Sequence, residues 1–253
     1  MGREVLAALA ETTDLQIVAA VDAAHAGKSI RELIGESAPD LTVQERLGQA
    51  LDQVQAHVLV DFTTHSAAPQ NAMTALQRKV APVIGTTGLS TQDVRALVAT
   101  AREQKTPGLY APNFAIGAVL MIRFAEIAAQ FLPDAEIIEL HHDKKEDAPS
   151  GTALLTAERI AFARKDPPTK LPKPFFKVEG VRGGKHRDVT IHSVRLPGLL
   201  AHQQIIFGGL GETLTLRHDS LSRVSFMPGV KLAVRQVLDL DEFVVGLDQL
   251  LFR

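Results

Sequence analysis

The sequence has no cysteine, no excess of either charge and no long apolar run. The lack of cysteine excludes disulfides and thiolate metal sites, and it agrees with a reducing cytoplasm. The 27 lysines and arginines nearly balance 29 acids, so no overall field favours nucleic acid or a membrane surface. The apolar runs stop short of the roughly 20 residues that a spanning helix needs, and no basic-then-apolar leader follows Met1. We therefore expect a cytoplasmic protein that binds neither nucleic acid nor membrane.

The chain does have enough apolar sequence for a sizeable core. Its 253 residues are 45% hydrophobic, which suits two modest domains. Helical patterns at 66–79 and 90–104 alternate with short, nearly continuous apolar runs, which are typical of buried parallel strands. These runs are LQIVAAVD (15–22), HVLVDFTT (57–64), APVIGTT (81–87) and GLYAPNF (108–114). The alternation predicts a doubly wound α/β domain, which binds ligands at the carboxyl ends of its strands.

The second half of the chain has a different pattern. An apolar helix at about 116–132 precedes a strand near 135–143 and a helix near 151–165. Segments of period two follow, as in half-exposed antiparallel strands, and they lie at 188–197, 202–209 and 212–220. We predict an α+β domain with an open mixed sheet, one face of which packs on helices and the other on something else, such as a sister subunit.

These patterns also place the domain boundaries. The proline-rich stretch 165–180 is predicted to be a loop. Helical patterns return at 229–238 and 246–252, and these helices are expected to pack on the first domain. The predicted first domain therefore spans 1–113 plus about 226–253, and the second spans 114–225.

The densest group of ionisable residues is HHDKKEDAPSGTA, at 141–153. If the strand runs to Asp143, side chains alternate, so His141 and Lys145 share one face and His142 takes the other. A solvated surface loop is the alternative for each of these residues taken singly. Zinc is not expected, because adjacent histidines on a strand point apart and no His-x-x-x-His helix face is present.

The end of this cluster is suited to an anion. Ser150 is a natural N-cap for the next helix. The amides of Gly151, Thr152 and Ala153, with the helix dipole behind them, make a seat for a carboxylate or phosphate. A proton donor, a cation and an anion seat together favour an enzyme that acts on a small, multiply anionic substrate.

The whole stretch ELHHDKKEDAPSGTA (139–153) resembles the signature of the dihydrodipicolinate reductase family. Every fixed position of its pattern, His-His-x-x-Lys-x-Asp-Ala-Pro-Ser-Gly-Thr, is present. DFT at 61–63, GTTG at 85–88 and APNF at 111–114 resemble the nicotinamide-side loops of that family. The resemblance covers nearly the whole chain.

The resemblance implies a fold and an activity. It implies a Rossmann-like dinucleotide-binding domain and a substrate-binding and oligomerisation domain. The implied reaction is the reduction, by NADH or NADPH, of the cyclic imine 4-hydroxy-tetrahydrodipicolinate on the diaminopimelate route to lysine. It also implies a homotetramer formed through the second-domain sheets.

Site roles follow from the same resemblance. His141 is the implied proton donor, and Lys145 is the cation that stabilises developing negative charge. The implied substrate-binding residues are His142, Ser150, Gly151, Thr152 and Arg223; for Arg223, a surface role is the alternative. The implied cofactor-binding residues are Met1, Gly2, Asp22, Phe62, Gly85, Thr86, Thr87, Ala111, Pro112, Asn113 and Phe114.

The N-terminus departs from the family pattern. Family members open with a strand and a glycine-rich turn that ends in GRMGRE, whereas this sequence begins MGREVLAAL. We therefore expect Met1-Gly2 to be the tail of that loop and the first strand to be missing. Asp22 lies twenty residues after Gly2, at the distance where an acidic residue binds the hydroxyls of the adenosine ribose, and this favours NADH. His25 or Lys28 offers a cation for the 2′-phosphate of NADPH, so use of NADPH stays open.

Two functions from different classes fit the sequence. The first is the reductase. The second is a non-catalytic relative that keeps the fold and binds a dicarboxylate or a protein partner. The completeness of the polar cluster favours the reductase, because a chain without catalytic function has no reason to keep such costly groups together.

Overall fold

The computed structural model describes residues 1–36, 38–170, 172 and 175–252. They form two compact units, Met1–Ile116 with the residues from Arg223 onward, and Gly117–Ser222. The helices are α1 (Gly2–Ala10), α2 (Ile30–Ile34), α3 (Leu47–Gln53), α4 (Ala68–Gln77), α5 (Thr91–Gln104), α6 (Ile116–Ala129), α7 (Gly151–Ala163), α8 (Met227–Gln236) and α9 (Asp248–Leu251). The strands are β1 (Val58–Asp61), β2 (Ala81–Ile84), β3 (Gly108–Tyr110), β4 (Asp134–His141), β5 (Gly184–His186), β6 (Val189–Arg195), β7 (Ala201–Gly209), β8 (Glu212–Ser220) and β9 (Phe243–Val245). No described helix is long and apolar enough to cross a membrane.

The first unit contains a parallel sheet in the order β1-β2-β3-β9. β2 and β3 are buried throughout, as continuous apolar runs predict for strands covered on both faces. α4 and α5 pack beside them, with Ala72 and Leu76 fully buried in their common core. The strands predicted within 57–64, 81–87 and 108–114 are confirmed.

Two features of this sheet differ from the expectation. The run 15–22 is not a strand: its one ladder contact is an isolated bridge between Val21 and Gln44. An apolar run predicts burial, whereas a strand also requires a neighbour that completes its hydrogen bonds. Within the described residues, β1 therefore pairs with β2 alone. β9 was not expected, because its three residues are too few to show a period.

The second unit contains a mixed sheet in the order β5-β6-β4-β7-β8. α6 and α7 cover one face, and the largest side chains buried there are Ile137, Ile160, Ile205 and Phe207. The predicted α+β architecture is confirmed. Antiparallel pairing is right for β7 with β8 but wrong for β6 next to β4, which run parallel. Half-buried strands alternate by twos whichever way their neighbour runs.

The predicted loop over 165–180 has no helix or strand in its described residues. Residues 171, 173 and 174 lie outside the described part of the chain. Thr169 attaches the loop to the start of β4, where its amide donates to Asp134 Oδ1 at 2.7 Å and its hydroxyl to Oδ2 at 2.6 Å.

The core of the second unit can be tested at Phe207. Its ring is fully buried, whereas Phe162 on α7 is 92% exposed. We expect Phe207→Ala to lower the free energy of unfolding by about 3–5 kcal/mol, from lost burial and the cavity left behind, and Phe162→Ala to change it by less than about 0.5 kcal/mol. Urea unfolding followed by circular dichroism measures both. Equal effects of the two substitutions would contradict this core.

Candidate active site

A cavity of about 460 Å³ opens in the first unit at the carboxyl ends of β1, β2 and β3. The phenyl rings of Phe62 and Phe114 stand there with centroids 5.6 Å apart, tilted by 51°. Of the predicted cofactor residues, the structure brings eight together around this cavity: Met1, Phe62, Gly85, Thr86, Thr87, Pro112, Asn113 and Phe114. The prediction of cofactor residues did not include four further lining residues, Thr63, Thr64, His65 and Phe226.

Gly85 determines where the Phe62 ring lies. A Cβ atom at position 85 would stand 2.2 Å from ring carbons of Phe62, far inside contact distance. The absence of a side chain at Gly85 therefore lets the ring pack against the end of β2 and line the cavity.

A buried carboxylate holds the loops of this cavity. Asp61 is 2% exposed. Its Oδ1 accepts hydrogen bonds from the amide and hydroxyl of Thr63, at 2.9 and 2.8 Å, and from the hydroxyl of Thr86, at 2.9 Å. Its Oδ2 accepts from Asn71 Nδ2 at 2.8 Å. One side chain thus joins the loops after β1 and β2 to α4.

The remaining predicted cofactor residues lie elsewhere. Gly2 begins α1, and Ala111 is a buried residue whose amide donates to Ile84 O. Asp22 is not part of the cavity lining. Its Oδ1 accepts from the amide of Ala24, at 2.8 Å, and lies 3.0 Å from His25 Nδ1; the hydrogen bond with His25 lowers the pKa of Asp22.

In the second unit the polar cluster follows β4. The strand ends at His141 and not at Asp143, so the strand alternation expected for residues 142–145 is wrong there. The chain turns instead, and the amide of Lys145 donates to His142 O at 3.1 Å. Lys145 Nζ donates to Asp147 Oδ1 at 2.6 Å, and this bond lowers the pKa of Asp147.

Ser150 is the N-cap of α7, as predicted. Its hydroxyl accepts from the amide of Ala153 at 3.2 Å, so that amide is already engaged, against the expectation that it is free. The amide of Gly151 lies in the first turn, where a helix offers it no acceptor of its own. The side chain of Ser150 is 3% exposed, so it supports the turn from within.

A network that the prediction missed lies beneath His141. Glu139 is fully buried. Its Oε2 lies 2.5 Å from His141 Nδ1, and Arg195 donates to both carboxylate oxygens, at 3.0 and 2.8 Å. Burial acts to raise the pKa of Glu139, but hydrogen bonds with His141, Arg195 and Ser193 outweigh it and lower the pKa to about 2. A charged residue inside an apolar strand is a signal that a buried partner exists.

Arg223 belongs to the first unit. It is mostly exposed, and its Nη1 donates to Glu4 Oε1 at 3.5 Å. Its assignment as a substrate-binding residue stays a prediction. His142 is half-buried at the end of β4.

Comparisons with known proteins cover nearly the whole chain. The family model for the N-terminus of dihydrodipicolinate reductase matches residues 1–114, and the model for its C-terminus matches 117–251. The 4-hydroxy-tetrahydrodipicolinate reductase of Halalkalibacterium halodurans is 46% identical over 99% of this chain and 95% of that protein. The enzyme of the same name from Bacillus anthracis is 45% identical over 99% and 94%.

Solved structures agree. The structure described as dipicolinate-bound dihydrodipicolinate reductase from Paenisporosarcina sp. TG-14 matches with a TM-score of 0.86 and 41% identity, over 98% of this chain and 94% of that one. An amine dehydrogenase from Mycobacterium smegmatis, with a TM-score of 0.67 and 11% identity over 97% and 91%, shares the fold alone. On the family models and on relatives of this identity and coverage, the chain belongs to the dihydrodipicolinate reductase family.

Proposed function

We propose that this chain uses NADH or NADPH to reduce the cyclic imine 4-hydroxy-tetrahydrodipicolinate to tetrahydrodipicolinate, a step on the diaminopimelate route to lysine. One observation carries the proposal. The chain keeps the full His141-to-Thr152 motif, and His141, Lys145 and the start of α7 stand within one turn that a buried network holds in place. A chain that only bound a dicarboxylate would have no need for a proton donor supported in this way.

The cofactor site proposed in the first unit fits a nicotinamide. Phe62 and Phe114 offer apolar faces to a flat ring, and the hydroxyls of Thr63 and Thr86, anchored by Asp61, suit a ribose and a carboxamide. When bound, the nicotinamide supplies the hydride. The first-turn amides of α1, next to Met1 and Gly2, are the proposed contacts for phosphate. Asp22 is the proposed contact for the adenosine ribose.

In the second unit, the chain's own residues bind the substrate and manage its charge. The substrate has two carboxylates, and the first turn of α7 is the proposed contact for one of them, through the amide of Gly151 and the residue Thr152. Lys145 stabilises the negative charge that develops as hydride arrives. His141 delivers the proton, and His142 is a further proposed substrate contact. The assignment of Arg223, which belongs to the first unit, stays a prediction.

A homotetramer is the proposed assembly. The face of the second sheet that α6 and α7 leave uncovered carries half-buried aliphatic side chains, including Ile138, Leu140 and Ile206. Apolar groups at alternate positions of an uncovered sheet suit burial against another copy of the same sheet. The cytoplasmic location expected from the cysteine-free composition stays a prediction.

The reductase is tested at His141 and Lys145. We expect His141→Ala and Lys145→Ala to lower kcat by about 10²-fold or more, because both groups act as charge develops, with little change in NADH affinity. The neighbouring Lys144, which is exposed, provides the control variant Lys144→Ala, expected to keep full turnover. Wild-type protein that binds the dicarboxylate without oxidising NADH would favour the non-catalytic alternative.

The proposed carboxylate contact at the first turn of α7 is tested by measuring KM for the imine. Gly151→Pro removes one first-turn amide at the first position of α7, where a helix tolerates proline. We expect it to raise KM for the imine about tenfold, on the scale of a lost charge-assisted hydrogen bond, with kcat less affected, since the carboxylate is present from the ground state onward. KM for NADH is the internal control. An unchanged KM for the imine would show that the substrate carboxylate binds elsewhere.

The cofactor cavity is tested at Gly85. A methyl group at this position displaces the Phe62 ring, so Gly85→Ala should weaken NADH binding about tenfold or more, on the scale of a lost ring contact. Gly184→Ala is the matched control, because a Cβ there meets nothing within 4 Å. Calorimetric titration measures both, and equal affinities would show that the nicotinamide binds elsewhere.

A further inference from the structure

Glu139 is an ionised carboxylate inside the second unit. Its side chain has no exposure, and a buried charge is tolerated only with partners. Arg195 supplies the opposite charge through two hydrogen bonds, at 3.0 and 2.8 Å. The carboxyl group remains an anion at neutral pH.

This anion determines the protonation pattern of His141. Residues 139 and 141 lie two apart on β4 and share a face, which brings His141 Nδ1 to 2.5 Å from Glu139 Oε2. A carboxylate can only accept a hydrogen bond, so Nδ1 carries a hydrogen. In the neutral ring, Nε2 is then the nitrogen without a hydrogen, and it is the one that can take up and give a proton.

The same ion pair also holds the turn that contains Lys145. Arg195 Nη2 donates to Asp147 O at 2.7 Å, and its Nε donates to Lys145 O at 3.3 Å. The amide of Ser150, the residue that caps α7, donates to Glu139 Oε1 at 3.3 Å. The pair therefore contacts His141, the turn that contains Lys145 and the residue that caps α7.

We propose that Glu139, paired with Arg195, is the positioning residue of this site: it holds His141 in the tautomer with hydrogen on Nδ1 and leaves Nε2 to deliver the proton. The proposal rests on the function proposed above. Loss of the substrate's 4-hydroxyl group as water gives the conjugated ring that accepts hydride. As hydride adds to this ring, the electron pair that it displaces takes the proton from Nε2 of the imidazolium, and tetrahydrodipicolinate results. The neutral Nδ1–H ring remains and regains its proton from water.

The tautomer can be measured without any activity. In ¹⁵N spectra of the side chains, the protonated and unprotonated ring nitrogens of a neutral histidine have widely separated shifts, and comparison with His141→Gln assigns the signal. We expect Nδ1–H at His141. His186, whose Nε2 lies 3.1 Å from Glu158 Oε1, is the internal control and should show Nε2–H. An Nε2–H tautomer at His141 would overturn the proposal.

Enzyme kinetics test whether Glu139 affects turnover through His141. We expect Glu139→Gln to lower kcat about tenfold or more, with KM for imine and NADH within about twofold. The pH dependence of kcat should also change, because the variant loses the negative charge beside the ring. The other charged groups around it, Arg195, Lys145 and Asp147, are unchanged. Glu158→Gln, the matched change at an exposed carboxylate–histidine pair, should leave both kcat and the profile unaltered.

A second variant distinguishes a folding defect from the loss of the positioning role. If Glu139→Gln fails to fold because Arg195 loses its partner, the double variant Glu139→Gln with Arg195→Gln removes both charges and should show the same kinetic change. A folded variant with wild-type kcat and pH profile would overturn the proposal. Wild-type protein that lacks turnover yet has the Nδ1–H tautomer would overturn the proposed function and leave the role of Glu139 in place.

Discussion

A carboxylate that is buried away from water needs hydrogen-bond donors from the protein for both of its oxygens. Each unit of this molecule places one such carboxylate at or near the end of a strand. Asp61 ends β1 and is 2% exposed; Glu139 stands two residues before the end of β4 and is fully buried. Losing the partners of a buried anion costs more than a typical surface contact contributes. Those partners, Thr63 and Thr86 for Asp61 and His141 and Arg195 for Glu139, are therefore held in place. Thr63 and Thr86 also border the cavity, and His141 belongs to the polar cluster.

Much of the fold could be predicted from local patterns. The strands β1, β2 and β3 followed from continuous apolar runs, and Ser150 was a recognisable cap because capping depends on the next few residues alone. The strand expected at 15–22 failed because pairing depends on a neighbour, which no local pattern reports. The direction of β6 failed for the same reason: its alternation is equal in parallel and antiparallel sheets.

The candidate site likewise contains residues that a local motif reveals and residues that only the folded structure brings together. His141, Lys145 and the start of α7 lie within one short stretch, so a motif could reveal them. Arg195 lies 56 positions from Glu139, and Phe226 lies more than a hundred residues from the other residues around the cavity; only folding brings them together. Glu139 itself stands next to the motif, but its role depends on its burial. A residue whose effect comes from distant partners is visible only in the structure.

The Glu139–Arg195 pair contributes more to geometry than to stability. Two charges removed from water regain little net free energy from their attraction, and apolar residues of the same volume often serve stability as well. Because the pKa of Glu139 falls from its ordinary 4.5 to about 2, the stabilisation that it gives is complete above about pH 4.5 and is lost as pH falls toward 2. At neutral pH the anion is therefore constant. A constant anion keeps its charge and its position beside the His141 ring, so its effect on the orientation of that ring does not vary over the neutral pH range.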